Sequence, residues 1–209
     1  MNKHVISSKV QFRSAMASTA RDPVLLYVDN SNIYIEGQRY ADQRANEDRG
    51  SLRIHFKNFL TLAARGRPTT KVVWGGSQPP NADAVWEHLR SQGIEPELIR
   101  RSEEGESETV DHAIQLRMHR HTREFREHPG VIVLCTGDGK GYYKREGFLY
   151  DVEGFVEDGW QLEILTWEHS CNSKLKEYAE KKGKLVLLDK FYKSITYIQG
   201  GRRAMPVDL

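Results

Sequence analysis

Cysteine is scarce in this chain, long apolar runs are missing, and charge of neither sign prevails; each lack removes a class of protein. Two cysteines, Cys135 and Cys171, among 209 residues are too few for a disulfide-stapled secreted scaffold, and Cys135 falls inside an apolar run that reads as a buried strand. A reduced, cytoplasmic protein is the simpler expectation. No run approaches the roughly 18 apolar residues of a membrane helix, and the first residues hold no apolar signal stretch, so no membrane association is expected. Lys and Arg number 31 against 29 Asp and Glu, a formal charge of +2; bulk attraction to nucleic acid is excluded, and any basic surface must be local. The glycine-rich Gly137-Asp138-Gly139-Lys140-Gly141 lacks the Gly-Lys-Ser/Thr ending of a phosphate loop, which argues against nucleoside triphosphate binding.

The length suits one sizeable core. Residues 1–21 carry Lys3, Lys9, Arg13 and Arg21, several serines and no acid, and are expected to form a disordered basic arm, with an organelle transit peptide as the other reading. The domain itself is expected over residues 22–197, followed by a tail over 198–209. Apolar runs bounded by turn residues occur at Val24–Val28, Lys71–Trp74, Ile94–Ile99, Val131–Cys135, Leu162–Leu165 and Leu185–Leu188, rich in Val, Ile and Leu as strands buried on both faces must be. Helical periodicity lies between them. Ile54, Phe56, Phe59, Leu60 and Leu62 mark one helix, and Ala84, Val85 and Leu89 another, capped by Asn81 or Asp83. A longer helix is expected from Ser107 to about Phe125, and later ones over Phe148–Val156 and Ser173–Lys181. This alternation predicts a mainly parallel sheet with helices on both faces.

Against that frame three acids stand out. Asp29 follows the first strand, Asp138 follows Val131–Cys135, and Asp111 lies near the first turn of the long helix. Ligands of open α/β sheets sit outside the carboxyl ends of the strands, so these positions can share one crevice. Singly, each reads as a helix cap or turn residue; together, like charges at one edge want a cation, and oxygen ligands suit Mg2+ or Mn2+. Downstream of Asp138 come Lys140, Tyr142, Tyr143, Lys144 and Arg145, cations for phosphates interleaved with aromatic faces for bases. Trp167-Glu168-His169-Ser170-Cys171-Asn172 invites a Cys–His nucleophile, but a strand-to-helix connection capped by Ser170 or Asn172 is the better expectation. His119-Arg120-His121-Thr122-Arg123 reads as an exposed helix face.

Three pieces in order, Val28-Asp29-Asn30-Ser31-Asn32, Val110-Asp111 and Cys135-Thr136-Gly137-Asp138-Gly139, resemble the NYN family, a branch of the PIN-like nucleases, over roughly residues 22 to 197. The resemblance implies a PIN-like three-layer α/β/α sandwich and metal-dependent cleavage of single-stranded RNA, with Asp29, Asp111 and Asp138 as catalytic and metal-binding acids. It further implies that Asn30, Ser31 and Asn32 position substrate or ligands, and that Lys140, Tyr142, Tyr143, Lys144 and Arg145 hold the strand. Hydrolysis by a metal-activated water would leave a 3′-hydroxyl and a 5′-phosphate. RNA is the partner so implied, with a homo-oligomer or a protein partner left open. Two positions depart from the family pattern: Lys140 stands where many relatives carry a further acid, and Arg117 near where some carry another, with Asp151 and Glu146 as replacement ligands nearby. An RNA-binding or interaction module that kept the fold and lost turnover is the alternative.

Overall fold

The computed structural model describes residues 22–78, 84–91, 94–100 and 107–209; the basic arm over residues 1–21 and the Asn81 or Asp83 cap lie outside them. In chain order the elements are β1 (Val24–Asp29), α1 (Asn30–Gln43), β2 (Leu52–Ile54), α2 (Phe56–Ala64), β3 (Lys71–Gln78), α3 (Ala84–Ser91), β4 (Glu95–Arg100) and α4 (Ser107–Glu124). They continue as β5 (Val131–Cys135), α5 (Phe148–Glu157), β6 (Gln161–Thr166), α6 (Ser173–Lys182), β7 (Lys184–Leu187), α7 (Tyr192–Ile195) and β8 (Thr196–Ile198).

Six strands form one sheet in the order β4-β3-β1-β5-β6-β7, every neighbouring pair parallel. The side-chain period of two divides each central strand between two cores. From β1 and β5, Leu26, Val28 and Val133 join Ile33, Phe59 and Trp167 on the side of α1 and α2. Leu25, Tyr27, Ile132 and Leu134 join Ile114, Met118, Val152 and Leu175 on the side of α4, α5 and α6. The molecule is therefore a three-layer α/β/α sandwich, and all six expected parallel strands are present.

Helix α1 and the antiparallel ribbon of β2 with β8 add to the expected elements. Ile54, expected to open the second helix, instead ends β2, and α2 begins at Phe56 with the His55 side chain accepting from the Asn58 N–H. Beyond β8 the chain runs back over the domain. The Ile198 N–H donates to the Arg202 carbonyl, and Arg202 grips Glu47 through Nε at 2.7 Å and Nη2 at 2.9 Å, its guanidinium lying over the Tyr192 ring. Among the described residues no helix is long and apolar enough to cross a membrane.

The strand order positions the site. From β1 the chain builds outward through β3 and β4, then returns to lay β5 on the other side of β1 before moving on to β6 and β7. Connections leave β1 and β5 on opposite faces, opening a crevice at the carboxyl ends of these two strands, where ligands of such sheets bind.

Candidate functional site

Asp29 is the last residue of β1 and the N-cap of α1. Its Oδ1 accepts from the Asn32 N–H at 3.0 Å and its Oδ2 from the Thr136 hydroxyl at 3.0 Å. The same Thr136 oxygen accepts from the Asp138 N–H at 3.1 Å, so one side chain following β5 links the Asp29 carboxylate to the backbone of Asp138. The last residue of β1 and the first after β5 thus meet across the crevice, next to the registered pair Val28↔Cys135. Burial pushes the Asp29 carboxyl above the usual carboxylate range; the Asn32 N–H and the Thr136 hydroxyl pull it down, the Asp138 charge pushes it up, and the Ser31 N–H pulls it down. Asp29 serves as the ordinary cap, but a cap is normally exposed, and this one is 5 % exposed beside a like charge.

Asp138 reaches the solvent side. Its Oδ1 accepts from the Lys140 N–H at 2.8 Å, closing the turn, and the Lys140 ammonium stands 3.8 Å from its Oδ2. Lys140 itself is exposed. The turn is pressed against the connection after β6: the Asn172 N–H donates to the Gly137 carbonyl at 2.9 Å, and a Cβ on Gly139 would stand 2.5 Å from the Asn172 side chain. Glycine at 139 is set by this close approach.

Asp111 sits in the second turn of α4, next to Val110, which packs beneath Gly75, the β3 residue in register with Asp29. It is half-buried on the same edge of the sheet as Asp29. Among the described residues, however, no three His, Cys, Asp or Glu side chains form a group able to hold a metal ion. Asp151, considered as a replacement ligand, is already engaged: its carboxylate accepts from Gln115 Nε2 at 2.6 Å and faces His119 Nε2 at 3.2 Å. Glu146 is exposed on the loop after Asp138.

The polar residues after Asp29 have work inside the protein. Asn30 Oδ1 accepts from the Trp74 indole at 3.0 Å, and Asn32 Oδ1 from the Gly137 N–H at 2.8 Å. Asn32 still lines a cleft of about 570 Å³ with Glu36, Arg39, Asp138, Lys140 and His169. On the loop after Asp138, Tyr142 donates to Glu153 at 3.2 Å, and Lys174 from α6 places its ammonium 3.6 Å from the Tyr143 ring centroid and 5.0 Å from that of Tyr142. That bond to Glu153 holds the Tyr142 phenol above its ordinary pKa. Tyr143 is 86 % exposed, and Lys144 and Arg145 are also exposed, so the loop presents cations and an aromatic ring to solvent beside Asp138.

The segment Trp167–Asn172 is the expected connection, with Asn172 the N-cap of α6, accepting from the Lys174 and Leu175 N–H groups. It is no Cys–His pair: burial pushes the Cys171 thiol up, and His169 Nε2 faces Glu36 Oε2 at 3.1 Å. A carboxylate only accepts, so this nitrogen carries the proton. Glu36, buried on α1 and held also by Arg39 at 2.6 Å, is the site residue that sequence reasoning missed. Its signal was a charged residue on the one face of α1 that packs inward.

Neither the protein-family models nor the curated proteins include any that this chain matches. Among solved structures, the chain is similar to a crystal structure of a protein of unknown function from Vibrio parahaemolyticus, with a TM-score of 0.59 at 17 % identity, covering 83 % of this chain and 96 % of that one. The likeness is one of fold.

Proposed function

We propose that this protein is a metal-dependent endoribonuclease of the NYN kind, acting on single-stranded RNA. The observation that carries the reading is the convergence of Asp29 and Asp138 on Thr136 at the crevice between β1 and β5. Packing and capping need neither the burial of Asp29 nor a second acid beside it; a cation relieves both, because a nearby positive charge favours the ionised carboxylates. The donor set, oxygen only and sparse, fits a hard dication held largely by water rather than an all-protein cage. When bound, Mg2+ or Mn2+ would polarise the phosphodiester and lower the pKa of an attacking water.

The chain's own residues would do the rest. Asp29 and Asp138 would hold the cation, with Asp111 of α4 as the third acid of the proposal. Thr136 and the N–H groups of Ser31 and Asn32 orient Asp29. The Lys140–Arg145 loop receives the strand, its cations taking phosphates and Tyr143 a base. Incubation of the purified protein with Mn2+ and a labelled single-stranded RNA should give internal cleavage that chelator abolishes and that Asp138→Asn loses. Persistent cleavage by Asp138→Asn would remove the proposed site.

One observation favours a second reading, an RNA-binding module without turnover. An ammonium, that of Lys140, stands 3.8 Å from the Asp138 carboxylate, where the family pattern would put an acid. RNA binding that ignores Mn2+, with no cleavage, decides for this alternative.

A further inference from the structure

A second groove lies away from the acidic crevice, between the β2–β8 ribbon, the start of α2 and the segment after β8, with a volume of about 1210 Å³. Among the described residues none that lines it is acidic, whereas Arg53, His55, Lys57, Arg202 and Arg203 all line it. In a chain whose formal charge is only +2, this is the kind of local basic surface that overall composition hides. Not all of that charge is available, since Arg202 is balanced by Glu47. Arg53 is different. Its Nη1 donates to the carbonyls of Gly50 at 2.8 Å and Leu52 at 2.7 Å, contacts that fix a guanidinium without neutralising it; Asp48 feels its charge but forms no ion pair with it. Lys57 and Arg203 make no ion pair among the described residues.

The ribbon explains why these groups share one surface. In the register Leu52↔Ile198, Arg53↔Tyr197, Ile54↔Thr196, alternation sends Leu52, Ile54 and Thr196 into the core and leaves Arg53 and Tyr197 side by side on the outer face. A fixed cation next to a phenol ring, with two further cations along the same groove, has the composition of a single-strand binding surface: phosphates for the charges, a base for the ring. Packing through the buried core joins the wall of the groove to the crevice. Phe56 on its wall packs edge-on against Trp74 with centroids 5.1 Å apart, and Trp74 bonds Asn30, the residue after Asp29.

We infer that the groove formed by Arg53, Lys57, Tyr197 and Arg203 is a second binding site for single-stranded RNA, which takes the part of the strand remote from Asp29 and Asp138. The binding stands on the groove alone; its link to cleavage rests on the ribonuclease reading.

The test compares the parent protein with Arg53→Gln/Lys57→Gln/Arg203→Gln, with Tyr197→Leu, and with a charge control, Arg123→Gln/Arg126→Gln. Each is measured for binding to a labelled 20-nucleotide RNA over a salt series by fluorescence anisotropy, after melting curves establish that all are folded. Losing three phosphate contacts should lower the slope of log affinity against log salt by about 2. Tyr197→Leu should weaken binding by about fivefold or more with the slope kept, and the control should behave as the parent. In the Mn2+ cleavage assay the triple variant should raise KM for the 20-mer and leave cleavage of a 4-mer unchanged. Unaltered affinity and slope in the triple variant would overturn the inference. So would equal binding of a 20-base-pair duplex insensitive to Tyr197→Leu, or capture of anionic phosphatidylserine vesicles in place of RNA. If the parent binds the 20-mer as expected but cleaves neither length, the groove stands and the ribonuclease reading falls.

Discussion

At Thr136 a single hydroxyl donates to the Asp29 carboxylate and accepts from the backbone N–H of Asp138, so one side chain links Asp29 to the turn that carries Asp138. This gives Asp29 a cost that can be measured. Its folded pKa is raised by burial first and by Asp138 among the further causes. A carboxyl so shifted contributes stability that is fully present below the unfolded value, near 3.9, and is lost as pH rises through the folded value. At neutral pH without metal the charge is a liability. Asp29→Asn keeps the acceptor for the Asn32 N–H and removes that charge, so it should stabilise the protein by about 1 kcal/mol, roughly 2–4 °C in Tm for a chain of this size, while abolishing metal-dependent cleavage. Thermal melts at pH 7.5 and pH 4 check the sign: the gain should shrink at the lower pH, and a loss of stability at both would mean that the carboxylate serves only as a cap. Lys140 offers a second residue-scale test. Because its ammonium is exposed, its pairing with Asp138 contributes little to stability, so Lys140→Asp should leave Tm nearly unchanged and raise Mn2+ affinity several-fold in a calorimetric titration. Unchanged affinity would place the side chain outside the site.

Among the elements, the central strands β1 and β5 were readable because a strand buried on both faces must be continuously apolar, as Val24–Val28 and Val131–Cys135 are. Helix α1 was not readable, for a physical reason. Its buried face is Ile33, Glu36, Gly37 and Ala41: a carboxylate and a glycine occupy positions where an apolar stripe would have announced a helix. Glu36 is inside because Arg39 and His169 satisfy it, and Gly37 is glycine because Trp167 lies against it, with an added Cβ standing 3.2 Å from Cζ2. The β2–β8 ribbon is three residues long on each strand, too short for alternation to register, and its partners are far apart in the chain. The strand-end acids were legible from position alone; the bond through Thr136 and the Glu36–His169 pair were not, since both join residues more than a hundred positions apart. The helix that was hardest to read yields a sharp expectation. Trp167 is fully buried and pinned by its indole to the Ile33 carbonyl at 2.9 Å, so it cannot yield. Gly37→Val should destabilise the fold by about 1–3 kcal/mol, read as a lowered urea midpoint with m unchanged. A neutral result would show that α1 shifts away from β6 at little cost.

Across the whole molecule, the reversal of strand order between β1 and β5 converts an ordinary alternation of strands and helices into a single crevice, and it is there that Asp29 and Asp138 meet. Anything that binds the folded chain at that point must raise its stability by an amount set by concentration over dissociation constant, about 2.7 kcal/mol at a hundredfold excess. Mn2+ should therefore raise Tm in proportion to the logarithm of its concentration, and the pH dependence of that rise carries the diagnosis. The metal requires Asp29 ionised, whereas the empty fold favours its proton because of burial and, further, Asp138. The stabilisation by Mn2+ should thus be larger at pH 7.5 than at pH 5, and absent in Asp138→Asn at both. In a buffer that does not chelate, melting curves at several Mn2+ concentrations and both pH values separate this from weak surface binding, which would survive Asp138→Asn. If millimolar Mn2+ leaves Tm unmoved at pH 7.5, the acids do not gather a cation, and the RNA-binding module without turnover becomes the reading the fold supports.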